Sequence, residues 1–127
     1  MPPRQQTILN VALNESLLTA RSAILEEAGY EVVPALNIVD VQKACEHQGF
    51  DLVIIGYALP KDEKRRVMLA VRRHCGAVPI LELYPHGTTP ADEEADEMLS
   101  SLADRNILLS KVSECLSKPR NRRRGAS

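Results

Sequence analysis

Aromatic side chains are nearly missing from this chain. No tryptophan, one phenylalanine and three tyrosines make up 3% of its 127 residues, so any core must be aliphatic. Charge imbalance is missing too. Sixteen basic and seventeen acidic side chains leave a net charge of −1, which gives the whole molecule no strong pull toward nucleic acid or membranes. No apolar run approaches the roughly 20 residues of a membrane span. The opening MPPRQQTILNVAL lacks the apolar stretch and cleavage site of a signal peptide, and the chain reads as cytoplasmic. There is no C-x-x-C pair. Cys45, Cys75 and Cys115 are far apart and read as small apolar side chains on packed helix faces. His47 and His74 lie near the first two in sequence, but without metal-site spacing. Neither G-x-G-x-x-G nor G-x-x-x-x-G-K-[ST] occurs, so the usual nucleotide cradles are excluded. No metal and no cofactor is expected.

What is present is alternation. TILNVAL (7–13) is a short apolar run with β character. Asn14 can cap a helix whose inner side carries Leu17, Leu18, Ala20, Ile24, Leu25 and Ala28 at helical spacing. Gly29 sits where a helix stops. EVVPA (31–35) is a strand whose Pro34 suggests a sheet edge. Asn37 can cap a second helix, with Asp40 in its first turn and Val41, Ala44 and Cys45 inward. DLVIIG (51–56) has the continuous apolar run of a strand buried on both faces. In KDEKRRVMLAVRRHC (61–75), Val67, Met68, Val71 and Cys75 form an apolar stripe. Its mixed charges read as a solvated face. VPILEL (78–83) is a fourth strand. Thr89 and Pro90 suit a helix start, with Asp92, Glu93 and Glu94 in its first turn. EMLSSLAD (97–104) is ambiguous between a strand around Met98–Ser100 and a helix end. Asp104 can cap a last helix with Ile107, Leu108, Val112, Cys115 and Leu116 inward.

Strand–helix alternation over most of the chain implies an α/β domain with a doubly wound parallel sheet and helices on both faces. The expected organisation is an N-terminal extension at 1–6, a folded domain at 7–117 and a polar, basic tail at 118–127 with no means of folding. In such sheets the chemistry gathers where strands end at their C-terminal edge.

ILNVALNESLL, LEEAGYEVVPA, FDLVIIGYALP, VPILEL and ADEML, in that order and spacing, resemble the receiver domain of two-component response regulators. The likeness covers residues 7–117. LEEAGYEV followed by FDLVI and a Leu-Pro is its most specific part. The resemblance implies a flavodoxin-like, five-stranded sheet in the order 2-1-3-4-5, here with a shortened fourth crossover. It also implies a phosphorylation site at the sheet's C-terminal edge. A receiver's two magnesium-holding acids fall on Ala12 and Leu13. The phosphate-accepting aspartate falls on Gly56, and the Thr or Ser that reads the phosphoryl group falls on Tyr84. The lysine of the fifth strand falls on Ser101, with Leu102 after it, and the aromatic switch residue on Met98. Every functional position departs from the pattern.

The expectation is therefore a receiver-like signalling domain that has lost its phosphoacceptor and metal site. It would be no enzyme, and would act by phosphorylation-independent protein–protein interaction. The resemblance places a protein partner on the surface around residues 88–117, with a homodimer as a second arrangement. One alternative is small-molecule binding at the same strand ends, near Tyr84, His86 and Gly87. Another is weak nucleic-acid binding through Lys118, Arg120, Arg122, Arg123 and Arg124. No base-reading motif accompanies that tail, so nucleic acid is not an expected partner.

Overall fold

Leu52, Val53, Ile54 and Ile55 are all fully buried and form strand β3 (Leu52–Ile55). A strand buried on both faces needs a neighbour on each side and a layer above and below. The computed structural model, which describes residues 5–56, 59–84, 96–100 and 104–117, supplies all four. Strands β1 (Thr7–Val11) and β4 (Ile80–Tyr84) flank β3, while β2 (Glu31–Ala35) and β5 (Glu97–Ser100) form the edges. The order is β2-β1-β3-β4-β5 and every pairing is parallel. Pro34, which has no N–H to donate, does lie on an edge strand.

Alternation within the strands separates two apolar layers. Leu9, Val11, Val53, Ile55 and Ile80 face helices α2 (Ile38–His47) and α3 (Lys61–His74), meeting Val41, Val67, Met68 and Val71. Ile8, Leu52, Ile54, Leu81 and Leu83 face the other side. There they meet Leu25 of α1 (Glu15–Glu27) and Leu108, Val112 and Cys115 of α4 (Arg105–Ser117).

The helix starts follow the capping residues. Asn14 Oδ1 accepts from Leu17 N at 3.1 Å, Asn37 Oδ1 from Asp40 N at 2.9 Å, and Asp104 Oδ1 from Ile107 N at 2.9 Å. Each bond satisfies an amide that the first helical turn leaves without a partner. Gly29 follows α1 with φ +102°, a conformation that side chains rarely adopt.

The ambiguous stretch is a strand. β5 pairs Leu81 with Glu97 and Tyr84 with Ser100. Its entry is pinned by both α3 and β4: Asp96 Oδ2 accepts from Arg72 Nη2 at 2.9 Å and from Ile80 N at 2.7 Å. A bond between α3, β4 and β5 leaves no trace in local periodicity. The helix start expected at Thr89 and Pro90, and the acids after it, lie outside the described residues.

Some inner-face assignments differ. Ala20 and Ala28 are exposed, and the inward row of α1 is Leu18, Arg21 and Leu25. Ile107 is 51% exposed, so α4 turns it to solvent. The charged face of α3 is not wholly solvated either, because Lys64 is 2% exposed. Cys45 and Cys75 are more than packing groups: they form a disulfide joining α2 to the end of α3.

Candidate functional site at the carboxyl edge of the sheet

β1, β3 and β4 are adjacent and parallel, so the residues that follow them share one edge. Ala12 follows β1, is 1% exposed, and donates its N–H to Ala35 O at 3.1 Å. Leu13 beside it is 48% exposed. Gly56 follows β3, is buried, and donates its N–H to Val11 O at 2.9 Å. Tyr84 ends β4 and is partly exposed. The structure thus brings Ala12, Gly56 and Tyr84 to one edge. Ser101 and Leu102 lie outside the described residues, as do His86, Gly87 and the basic tail from Lys118. Met98 is on β5 and 40% exposed. Asp51 directly precedes β3 at the opposite edge, where its Oδ2 accepts from Thr7 N at 2.8 Å.

The sequence reading missed Arg21. It is 7% exposed and reaches from α1 over the end of the sheet. Its Nη1 donates to Asn10 Oδ1 at 2.7 Å and to Val11 O at 3.4 Å. Asn10 is fully buried and held from its other end, with Nδ2 donating to Leu18 O and Ser22 Oγ. A Cβ built on Gly56 would lie 3.0 Å from Arg21 Nη2, 3.3 Å from Nη1 and 3.1 Å from Val11 O. The guanidinium therefore occupies the space into which a side chain at residue 56 would grow. The one available sequence signal was the position of Arg21, in the same helical row as Leu18 and Leu25.

Magnesium takes oxygen ligands, usually including one or two carboxylates. Ala12 and Leu13 bring only hydrocarbon, Gly56 brings no side chain, and a guanidinium stands beside it. The side chains at these positions do not fit that ion.

Gly56 has no left-handed backbone angle, so φ does not oppose an L residue there, but its Cβ would press on Val11 O at 3.1 Å and that carbonyl would have to give by a few tenths of an ångström. In Gly56→Asp the new carboxylate would emerge against Arg21, whose side-chain tip can shift. Chemical denaturation of a double-mutant cycle with Arg21→Met is expected to give a coupling of at least about 1 kcal/mol favouring the Asp–Arg combination. Additive effects would mean that the two positions do not meet.

A second buried polar group lies on the opposite face. Lys64 Nζ donates to Leu83 O at 2.6 Å and to Glu82 Oε2 at 3.2 Å, and Glu82 is fully buried. Burial pushes the Lys64 ammonium below 10.5, the ordinary lysine value, against the opposing pull of its bond to Glu82. Between the lowered value and 10.5 the unfolded chain binds more protons. This group therefore makes the fold more stable as pH rises through that window. Lys64→Met should remove that part of the slope when denaturation is measured across pH.

A groove of about 450 Å³ lies elsewhere, between α1 and the β2 edge. It is lined by residues including Leu18, Ser22, Pro34 and Asp40. Tyr84 is not among the groove's lining residues.

No family model matches the chain. Two curated relatives do. The CAI-1 autoinducer sensor kinase/phosphatase CqsS of Vibrio cholerae is 30% identical over 117 residues, covering 85% of this chain and 17% of the relative. The alkaline phosphatase synthesis transcriptional regulatory protein PhoP of Bacillus subtilis is 34% identical over 92 residues, covering 72% of this chain and 36% of the relative. The chain thus spans well under half of either protein. Among solved structures, the chemotaxis protein CheY4 of Vibrio cholerae superposes with a TM-score of 0.76 at 23% identity. That match covers 88% of this chain and 99% of the other. The receiver domain of a Pseudomonas aeruginosa sensor histidine kinase, with magnesium coordinated in its active-site cleft, gives 0.77 at 21% identity, covering 91% and 100%. A CheY-like receiver domain from Methanospirillum hungatei gives 0.75 at 21%, covering 89% and 94%. With the strand order, the solved structures give the chain the CheY-like receiver fold, and the two relatives are a sensor kinase/phosphatase and a transcriptional regulatory protein that carry similar sequence over part of their length.

Proposed function

We propose that this receiver-like domain has lost the phosphorylation switch and acts by binding another protein, independently of phosphorylation. One observation carries the reading. The resemblance puts a receiver's acceptor at Gly56, just past β3, and the Arg21 guanidinium lies 3.0 Å from where the Gly56 Cβ would be. Phosphoryl transfer to a protein needs a nucleophile and stabilisation of the phosphoryl charge, commonly by a metal. Glycine supplies no nucleophile, and Ala12 and Leu13 supply no side-chain ligands. On this reading the domain is not an enzyme. No helix among the described residues is long and apolar enough to cross a membrane.

The partner surface that the resemblance implies, residues 88–117, includes β5 and α4. Met98 is 40% exposed there and Ile107 51%. Exposed apolar side chains on an edge strand and its helix suit a protein contact. Tagged protein would be used to capture partners from its host, with Met98→Asp and Ile107→Asp variants alongside. The expected result is a specific partner that both variants lose and that acetyl phosphate leaves unchanged. Equal capture by wild type and both variants, or capture that requires acetyl phosphate, would contradict the proposal. Sedimentation of the pure chain distinguishes a second copy of itself as the partner.

A further inference from the structure

We propose that Cys45 and Cys75 are a reversible thiol–disulfide modification site that fastens α2 to α3 according to the redox state of the surroundings. The inference is independent of the proposed function. The two residues are 30 apart in sequence, yet their Cα atoms are 5.1 Å apart, within the span that a disulfide bridges. Both lie at helix ends on the same side of the sheet. Cys45 is in the last turn of α2, and Cys75 caps α3, its N–H bonded to Val71 O at 2.7 Å. Their sequence neighbours also meet: His74 Nδ1 is 3.9 Å from Glu46 Oε2. The two helix ends are therefore aligned by more than the sulfurs.

The fold does not need the bond to place these helices. Val41, Val67, Met68 and Val71 are fully buried between α2, α3 and the sheet, and that apolar layer remains when the sulfurs part. A domain that stays folded in both states is what a reversible site requires. Cys75 is the more open of the pair, being partly exposed where Cys45 is 9% exposed. It is the sulfur that a solvent reagent meets first.

The co-reactant is a low-molecular-weight disulfide. The Cys75 thiolate, its proton released to solvent, attacks one sulfur of that disulfide. This forms a mixed disulfide and expels one small thiolate. The Cys45 thiolate then attacks the Cys75 sulfur, forming the Cys45–Cys75 bond and expelling the second. Two protein thiols are oxidised, one small disulfide is reduced to two thiols, and the two protons end on them. A small thiol in excess reverses both steps. Both cysteines sit at helix C-termini, where the helix dipole disfavours thiolate. The exchange should therefore be slow and the bond long-lived, as suits a latch rather than a redox catalyst. The loop it closes contains β3, Gly56 and all of α3. Cys115 is buried on the other face and takes no part.

The test uses the full chain equilibrated with glutathione disulfide or with dithiothreitol, followed by denaturation, thiol alkylation and mass spectrometry. After glutathione disulfide one cysteine should alkylate, Cys115; after dithiothreitol, all three. The oxidised form should melt about 10 °C higher, from the loop-closure effect and the scaling of midpoint with stability. The reduced form should keep its far-UV spectrum and re-form the same bond on reoxidation. Cys45→Ser and Cys75→Ser should each abolish the shift, and Cys115→Ser should keep it. Three alkylatable thiols after oxidation, a glutathione adduct that goes no further, equal midpoints, or unfolding on reduction would each overturn the proposal.

Discussion

Lys64→Ala is expected to destabilise the domain by about 3–5 kcal/mol, the usual penalty for removing one partner of a buried ion pair. Lys64 is 2% exposed and Glu82 is fully buried, with Nζ and Oε2 at 3.2 Å. Without the ammonium, a carboxylate and the Leu83 carbonyl lose a shared donor in a region that water does not reach. The pair itself is weak evidence of stability, because bringing both charges out of water offsets most of their attraction. Lys64→Met with Glu82→Leu together should therefore cost far less than Lys64→Ala alone, and could even stabilise. Urea denaturation of the three proteins decides it. A single-variant loss below about 1 kcal/mol would place the ammonium in solvent.

Ile54→Ala is expected to cost roughly 2–5 kcal/mol, the range for a buried large-to-small change that leaves a cavity. Ile54 sits mid-sheet, in register with Asn10 of β1 and Leu81 of β4, and is fully buried. It packs in the layer with Leu25, Leu108 and Val112. Val39→Ala is the matching control. Val39 is on α2 but 54% exposed, and its loss should stay within about 0.5 kcal/mol. Comparable midpoints for the two variants in urea would mean that β3 is not the central strand.

The parts that could be read from the sequence are those written locally. The run LVII is a strand because four adjacent aliphatic residues satisfy two faces at once. Asn14, Asn37 and Asp104 each lie three residues before the amide they cap. Ala12, Gly56 and Tyr84 share an edge because parallel strands all end on the same side. The parts that could not be read depend on contacts distant in sequence. Arg21 is a charge out of place in the inward row of Leu18 and Leu25 until Asn10 is placed beneath it, 11 residues away. Lys64 looks like one of a solvated row until β4 brings Glu82 against it, 18 residues on. Cys45 and Cys75 look like packing groups because nothing local says that the ends of α2 and α3 meet. β5 was ambiguous for the same reason: four residues carry little period, and its start is set by Arg72 and Ile80 binding Asp96.

The proposed loss of the phosphorylation switch is tested most directly by titrating the isotope-labelled full chain with beryllofluoride and magnesium and following its amide NMR spectrum. Beryllofluoride mimics a phosphoryl group only where a carboxylate and a metal site receive it. The expected spectrum is essentially unchanged, because Gly56 offers no carboxylate and Ala12 and Leu13 no metal ligand. Saturable, magnesium-dependent shifts clustered at residues 12, 56 and 84 would contradict this and show a working acceptor site.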